Sequence, residues 1–335
     1  MATRKNWQGL MLGGAEISAK NLGEELLKLG HDVTYYFQFC EPFDDGNLHV
    51  RSRKIEDSFD VFVCVRPSPI LSTANVIPAK KKILWSGDAF DQPSNQLFDD
   101  PAIAGQMDAF VFKTFWQREK ILERFGHIDK DKTYVITNGV REELFKDLTG
   151  EPQENRFIYA STWYRGMFNF IKIWPEIRKI IPDAEIHAFG MTSLYFPGNP
   201  GDQQYFQVAD ILAGYPGFVL RYPVPQHVLA QEIRKSWLML YPNSGFLESS
   251  CGVALQSMAA GTPVLTTARA GLVETVGRHG ILIKEKEGWE KEFARRALCQ
   301  KQLRSRLSSS GRREVLKKST WRLKAKQWED FLVSL

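Results

Sequence analysis

Residues 240–267 read LYPNSGFLESSCGVALQSMAAGTPVLTT. The apolar run WLMLY (237–241) feeds into this stretch as a buried strand, and PVLTT (263–267) leaves it as another. Between them lie a polar loop rich in Gly and Ser, then a helix expected to start near 250–252 and to end at Gly261. A strand, a helix and a second strand in this order form a parallel pair with a crossover helix. Glu248 sits in the loop beyond the first strand, the edge at which open parallel sheets bind ligands. The amides of Gly252, Val253 and Ala254 fall in the first helical turn. Such amides lack intrahelical partners and lie at the positive end of the helix dipole, which makes the turn an anion site. Gly252 has no side chain to keep a phosphate away, and Gln256 lies one turn further in, facing the same ligand. The small residues Ala259, Ala260 and Gly261 let the helix pack tightly before the next strand.

The same alternation runs outward in both directions. HDVTYYF (31–37), DVFVCV (60–65), KILW (82–85), AFVF (109–112) and TYVI (133–136) read as strands in the first part of the chain. FIYA (157–160), EIHAFG (185–190), FVLRY (218–222), WLMLY (237–241), PVLTT (263–267) and GILI (280–283) read as strands in the second. Ile17, Leu22, Leu26 and Leu29 mark one face of a helix that stops at Gly30. Thr114 and Gln117 form a capping box for a helix ending at Phe125 and Gly126. The polar stretch DLTGEPQEN (147–155) separates the two series and marks a domain boundary, giving domains at 1–148 and 149–318. The expectation is an α/β protein of two doubly wound, Rossmann-like domains facing each other across a cleft.

Composition narrows the class. A chain of 335 residues with 43% hydrophobic and 25% charged residues has enough material for two ordinary cores. No apolar run reaches the roughly 18 to 20 residues of a membrane-spanning helix, and the opening MATRKNWQGL does not read as a secretory leader. Cys40, Cys64, Cys251 and Cys299 are widely spaced with no CxxC pair, and no two of the six histidines have ligand spacing. That pattern predicts neither a disulfide framework nor a zinc site, and it fits a reducing, cytoplasmic setting. Net charge is +5, with basic residues concentrated after residue 291. The basic stretch reads either as a solvated helical face or as a patch for an anionic membrane surface or nucleic acid. Apolar residues recur through it periodically, which favours the packed helix.

The stretch 240–267 resembles the GT-B glycosyltransferases of family 4, which carry a Glu, seven residues, a second Glu, and a small-residue turn before a Pro-Val strand. Glu248 holds the first position and Gln256 the second, so the second contact keeps a hydrogen-bonding oxygen without its charge. A second resemblance covers FIYASTWYRGMFNFIKIWPEIRKIIPDAEIHAFG (157–190), where a loop ends in a basic residue and a glycine; Arg165 takes the basic position. An arginine common five residues earlier in relatives is Ala160 here, and Trp163 and Tyr164 read as stacking or packing aromatics. YVITNGVREELF (134–145) matches the Asn-Gly turn near the family's hinge, at Asn138 and Gly139. MLGGAEISAKNLGEELLKLGHDVTYY (11–36) resembles the opening glycine loop, with Gly13 and Gly14 beside the ligand. The dinucleotide fingerprint GxGxxG is absent, which disfavours a dehydrogenase. ILWSGDAFDQP (83–93) matches a His-Asp segment in which Gly87 replaces the His and Asp88 remains.

The resemblance implies a retaining glycosyltransferase that moves a sugar from a UDP- or GDP-sugar to an acceptor hydroxyl on a glycan or lipid-linked glycan. Catalysis falls to Arg165 and Glu248. Arg165 and the amides of Gly252, Val253 and Ala254 neutralise the departing diphosphate. Glu248 meets sugar hydroxyls, Gln256 the ribose, and Tyr222 to Val224 the base. Asp88 and Asp91 either bind acceptor hydroxyls or cap the following turn. The resemblance also implies that the final helix, with Trp321 and Trp328 on one face, completes the first domain over 319–335. No metal or cofactor is expected, and the triplet Asp129 to Asp131 reads as a solvated turn. Another sugar-nucleotide enzyme on the same scaffold, a non-catalytic nucleotide-sugar-binding protein and a transferase acting on DNA remain as alternatives.

Overall fold

The computed structural model describes residues 12–36, 41–51, 55, 58–190 and 201–335. The chain divides into two compact units, Met1–Gly139 with Trp321–Leu335, and Val140–Thr320. Cys40 and the segment preceding Leu12 lie outside the described residues.

In the first unit, β1 (Val33–Tyr36), β2 (Phe43–Asp45) and β3 (Leu48–Arg51) form a small sheet of order β1-β3-β2. β1 runs parallel to β3, and β2 pairs antiparallel with β3 through a tight turn at Gly46 and Asn47, where Gly46 has φ 60°. A second sheet of four parallel strands holds β4 (Phe59–Val65), β5 (Ala79–Trp85), β6 (Ala109–Phe112) and β7 (Thr133–Val135) in sequence order. Helices α1 (Gly14–Lys28), α2 (Pro101–Gly105) and α3 (Phe115–Arg124) accompany these strands ahead of Gly139. The two faces of this sheet enter different cores, as strand pleating requires. Leu84, Phe110 and Phe112 pack with Phe98, Ile121 and Phe125 on one face. Ile83, Trp85 and Val111 pack with Trp321 and Trp328 of the C-terminal helix, Trp321–Ser334, on the other. Trp85 meets both tryptophans edge-on, with centroids 6.3 and 5.2 Å away.

The second unit is one sheet of six parallel strands, β8 (Gln153–Ala160), β9 (Glu185–Phe189), β10 (Phe218–Arg221), β11 (Ser236–Tyr241), β12 (Val264–Thr267) and β13 (Ile281–Ile283). Its spatial order is β10-β9-β8-β11-β12-β13, so the direction of winding reverses between β8 and β11. Helices α4 (Phe170–Ile180), α5 (Gly201–Ala213), α6 (Gln226–Arg234), α7 (Gly252–Ala259), α8 (Leu272–Val276), α9 (Trp289–Ala297) and α10 (Lys301–Lys318) accompany these strands. Strand β11 is buried throughout and β8 from Arg156 onward, because parallel strands between two helical layers have no wet face. Among the described residues no helix is long and apolar enough to cross a membrane.

The units part at Gly139, several residues ahead of the polar stretch at 147–155. Val140 pairs with Thr320 in an isolated bridge, and Phe145 lies fully buried in the core of the second unit. Polarity locates a loop, but the side chains ahead of that loop join whichever core they fit.

Candidate functional site

The reversal between β8 and β11 is where a doubly wound sheet opens a crevice for a ligand, because the connections from the two strands leave to opposite sides. Residues 161–166 leave β8 here and residues 242–251 leave β11. They bring together side chains far apart in sequence. Arg165 Nη1 lies 3.3 Å from Glu248 Oε2, and the Tyr241 hydroxyl donates to the same oxygen at 2.9 Å. Oε1 of Glu248 makes no hydrogen bond among the described residues. The Glu248 side chain is 5% exposed and that of Arg165 28%. A buried carboxylate is therefore held by one phenol and one guanidinium, and the guanidinium still reaches solvent.

Local chemistry explains why the chain bends this way. Gly166 has φ 122°, and a Cβ there would stand 2.4 Å from the Pro242 carbonyl oxygen. Only glycine permits that approach, which carries Arg165 toward Glu248. Asn169 Nδ2 then donates to Pro242 O at 2.7 Å and to Ser244 Oγ at 2.8 Å, tying the two loops. The Arg165 guanidinium also stacks 4.8 Å from the Phe246 ring. Burial first, and then the Glu248 carboxylate, push the Tyr241 phenol well above its usual range, so it remains a donor. The Cys251 thiol is pushed up to about 12, by burial and then by Glu248.

Helix α7 begins beside this pair, with Cys251 at its N-cap. A Cβ on Gly252 would meet nothing within 4 Å, so the helix start opens onto free space. The first-turn amides are not all equal. Ala254 N–H donates to Cys251 O at 3.1 Å, which removes it from the expected trio and leaves Gly252 and Val253. Gln256 and Val224 are half-buried, and Tyr222, just past β10, is 79% exposed. Trp163 packs on the core, while Tyr164 stands partly exposed against Phe246.

Two residues of this site escape a sequence reading. Tyr241 ends a buried strand and reads as core, yet its hydroxyl sets Glu248. Asn243 is fully buried with neither side-chain oxygen nor nitrogen hydrogen-bonded, and its backbone touches the Gly166 turn. Both stand out only once β8 and β11 are known to be neighbours.

Residues 154–299 match the profile of the family described as Glycosyl transferases group 1. A D-inositol 3-phosphate glycosyltransferase of Paenarthrobacter aurescens (strain TC1) is 25% identical over 231 residues, 64% of this chain and 54% of that protein. The chain thus spans about half the length of the curated relative it matches. Among solved structures, Anabaena HepE in complex with UDP and glucose superposes with TM-score 0.74 at 13% identity over 98% of both chains. Sucrose-phosphate synthase from Thermosynechococcus elongatus gives TM-score 0.71 at 15% identity, over 96% of this chain and 93% of that one. WaaG, a glycosyltransferase involved in lipopolysaccharide biosynthesis, gives 0.70 at 14% identity, over 95% and 96%.

The fold is GT-B.

The first unit carries the remaining candidates of this GT-B chain. Gly13 is the N-cap of α1, and a Cβ on Gly14 would enter open space. Ser18 Oγ donates to Gly14 O at 2.8 Å and to Asn138 Oδ1 at 3.3 Å, joining the glycine loop to the Asn-Gly turn. Gly139 is there for a close approach, since a Cβ would lie 2.8 Å from Trp321 N. Lys113, just past β6, is buried; its Nζ donates to Asn138 Oδ1 at 2.7 Å and lies 3.6 Å from the Trp85 ring centroid. At Gly87 a Cβ would meet only Lys113 Cε, at 3.7 Å. Asp91 is exposed. Asp88 is buried, and its oxygens are taken by Arg66 Nε and by Ser94 Oγ at 2.6 Å, so it is not presented to an incoming hydroxyl. Asp129 accepts from Asp131 N at 2.9 Å in an exposed turn ahead of β7.

Proposed function

We propose that the protein is a retaining, metal-independent glycosyltransferase that moves a sugar from a UDP- or GDP-sugar to a hydroxyl of a glycan or lipid-linked glycan. The observation that carries this reading is the Arg165–Glu248–Tyr241 cluster at the strand switch point, beside the open start of α7. Arg165 and the amides of Gly252 and Val253 supply positive charge where a diphosphate leaves. Glu248 Oε1 faces hydroxyls of the donor sugar while Oε2 stays anchored. Gln256 takes the ribose with a neutral amide, and the backbone at 222–224 takes the base. As the C1–O bond breaks, its electron pair departs with the diphosphate, and the acceptor oxygen bonds C1 on the same face. The acceptor proton passes to the departing phosphate oxygen. The chain's own residues then need to position the reactants and hold charge, which is where such sites derive most of their effect.

The test is a screen of UDP- and GDP-sugars by thermal shift and by nucleoside diphosphate release. One donor should raise the melting temperature and be slowly hydrolysed. Glu248→Gln and Arg165→Met should each slow release by at least about a hundredfold. Stabilisation without turnover across a panel of acceptors supports a non-catalytic nucleotide-sugar-binding protein instead. No response to any nucleotide sugar overturns the proposal.

A further inference from the structure

Arg66, directly after β4, combines an unusual backbone with an unusual side-chain setting. Its φ is 73°, a region that side chains with a Cβ rarely adopt; among the other described non-glycine residues only Ala270 shares it. Such a conformation persists where the surroundings over-determine it. Here Arg66 N donates to Trp85 O at 2.9 Å, and Cys64 Sγ donates to Arg66 O at 3.3 Å. The chain continues into Pro67, which itself disfavours the right-handed helical alternative.

The side chain is gripped from one end. Arg66 Nε lies 3.1 Å from Asp88 Oδ1 and 3.0 Å from Oδ2. The Asp88 side chain is only 8% exposed, while that of Arg66 is 40% exposed. Asp88 is in turn fixed on every side. Its N–H donates to Ser86 Oγ at 3.1 Å, its carbonyl accepts from Gln117 Nε2 at 2.8 Å, and Ser94 donates to its carboxylate. Nη1 and Nη2 of Arg66 make no hydrogen bond among the described residues. A buried acid that orients the guanidinium through Nε, and leaves the fork of Nη1 and Nη2 forward, is the arrangement of a binding residue. The loops after β4 and β5 place it at the carboxyl edge of the four-stranded sheet, where ligands of such sheets sit.

We propose that Arg66 binds an anionic group of the acceptor, a phosphate or a carboxylate, with Asp88 as its positioning residue. The inference rests on the glycosyltransferase reading above and narrows its acceptor to an anionic one. A planar fork matches two oxygens of either anion, and either anion adds a negative charge that the adjacent hydroxyls of a neutral sugar lack.

The experiment uses the full chain and matched acceptors: glucose 6-phosphate and glucose, myo-inositol 1-phosphate and myo-inositol, glucuronate and glucose. With the donor that is turned over, the quantity read is the ratio of kcat/KM for the charged to the neutral member. The wild type should favour one charged acceptor about tenfold or more, and the pair that responds separates phosphate from carboxylate. Arg66→Met should reduce that ratio about tenfold to a hundredfold. Arg66→Lys, which keeps the charge and the fold but not the fork, should retain part of it. Asp88→Asn should lower the same ratio, which a purely structural role would leave alone. Calorimetric binding of the same pairs without donor gives a second arm. Anion binding that needs Arg66 in a protein that hydrolyses no nucleotide sugar keeps this inference and removes the functional reading. An unchanged ratio in Arg66→Met, no preference for any charged acceptor in either arm, or an effect confined to donor KM overturns it.

Discussion

Glu248 and Lys113 are buried charges handled in opposite ways. Glu248 has a cation and a phenol on one oxygen, so its charge is compensated where it sits. Among the described residues the Lys113 ammonium has only an amide oxygen and an aromatic face, and burial pushes it well below the usual lysine range. The folded value thus lies below that of the unfolded chain. Between the two values the folded protein binds fewer protons, so this lysine makes stability rise with pH over a window that ends near 10.5. Lys113→Met removes the cost of burying the charge. Its melting temperature should exceed the wild type at pH 7, with the gain shrinking toward about pH 10. A scanning fluorimetry series reads this directly, and a variant no more stable at pH 7 would mean that Asn138 and Trp85 hold the ammonium charged at little cost. Arg165 and Glu248 were legible in the sequence because each lies in a recognisable local string. Lys113 was not, because a lysine at the end of an apolar run reads as a strand terminus.

At the scale of elements, the site depends on loops that dock without room between them. Gly271 packs on the Glu248 loop so closely that a Cβ would lie 1.9 Å from Ser249 O and 2.9 Å from Glu248 O. Its N–H donates to Glu248 O at 2.9 Å. Gly271→Ala should push the loop off this seat and cost about 1–3 kcal/mol in urea unfolding. Nucleoside diphosphate release should fall at least about tenfold, since small misplacements of a positioning group have large effects. Full release in a destabilised Gly271→Ala would separate the seat from the function. The β2–β3 hairpin is an element that the strand pattern of the sequence does not reveal. Its strands are short and PFDDG is polar, although Gly46–Asn47 is itself a tight-turn signal. The capping box at Thr114 forms in a modified way. Thr114 Oγ1 accepts from Gln117 N, but the Gln117 side chain bonds Lys113 N, Ser86 O and Asp88 O, so it braces the β5 loop as well.

For the whole molecule, the two units differ in how the chain supplies them. The second is contiguous, Val140–Thr320. The first needs Trp321–Leu335, because Trp321, Trp328 and Phe331 form one of its cores with Ile83, Trp85 and Val111. Deleting 321–335 should therefore abolish the unfolding transition of the first unit, since losing a buried Trp alone costs about 3–5 kcal/mol. Residues 140–320 alone should retain a cooperative transition in calorimetry. A truncated chain whose two transitions are both unchanged would contradict this account of the core.

The sequence by itself determined the strands of the two parallel sheets and the main helices between them, though not the β2–β3 hairpin. Short apolar runs alternating with helical patterns marked each strand of the two parallel sheets, and the strings around Arg165 and Glu248 marked a ligand edge. These are local signals, set by residues within a few positions of one another. Tertiary structure decided what those residues meet. It placed β8 beside β11 and so brought together side chains 83 positions apart. It tied Ala254 N–H to Cys251 and gave the Asp88 carboxylate to Arg66 and Ser94. It also put residues 140–148 in the second unit, with Val140, Leu144, Phe145 and Leu148 packed in its core. Those outcomes depend on strand order and on which surfaces fit, and no spacing along the chain encodes them.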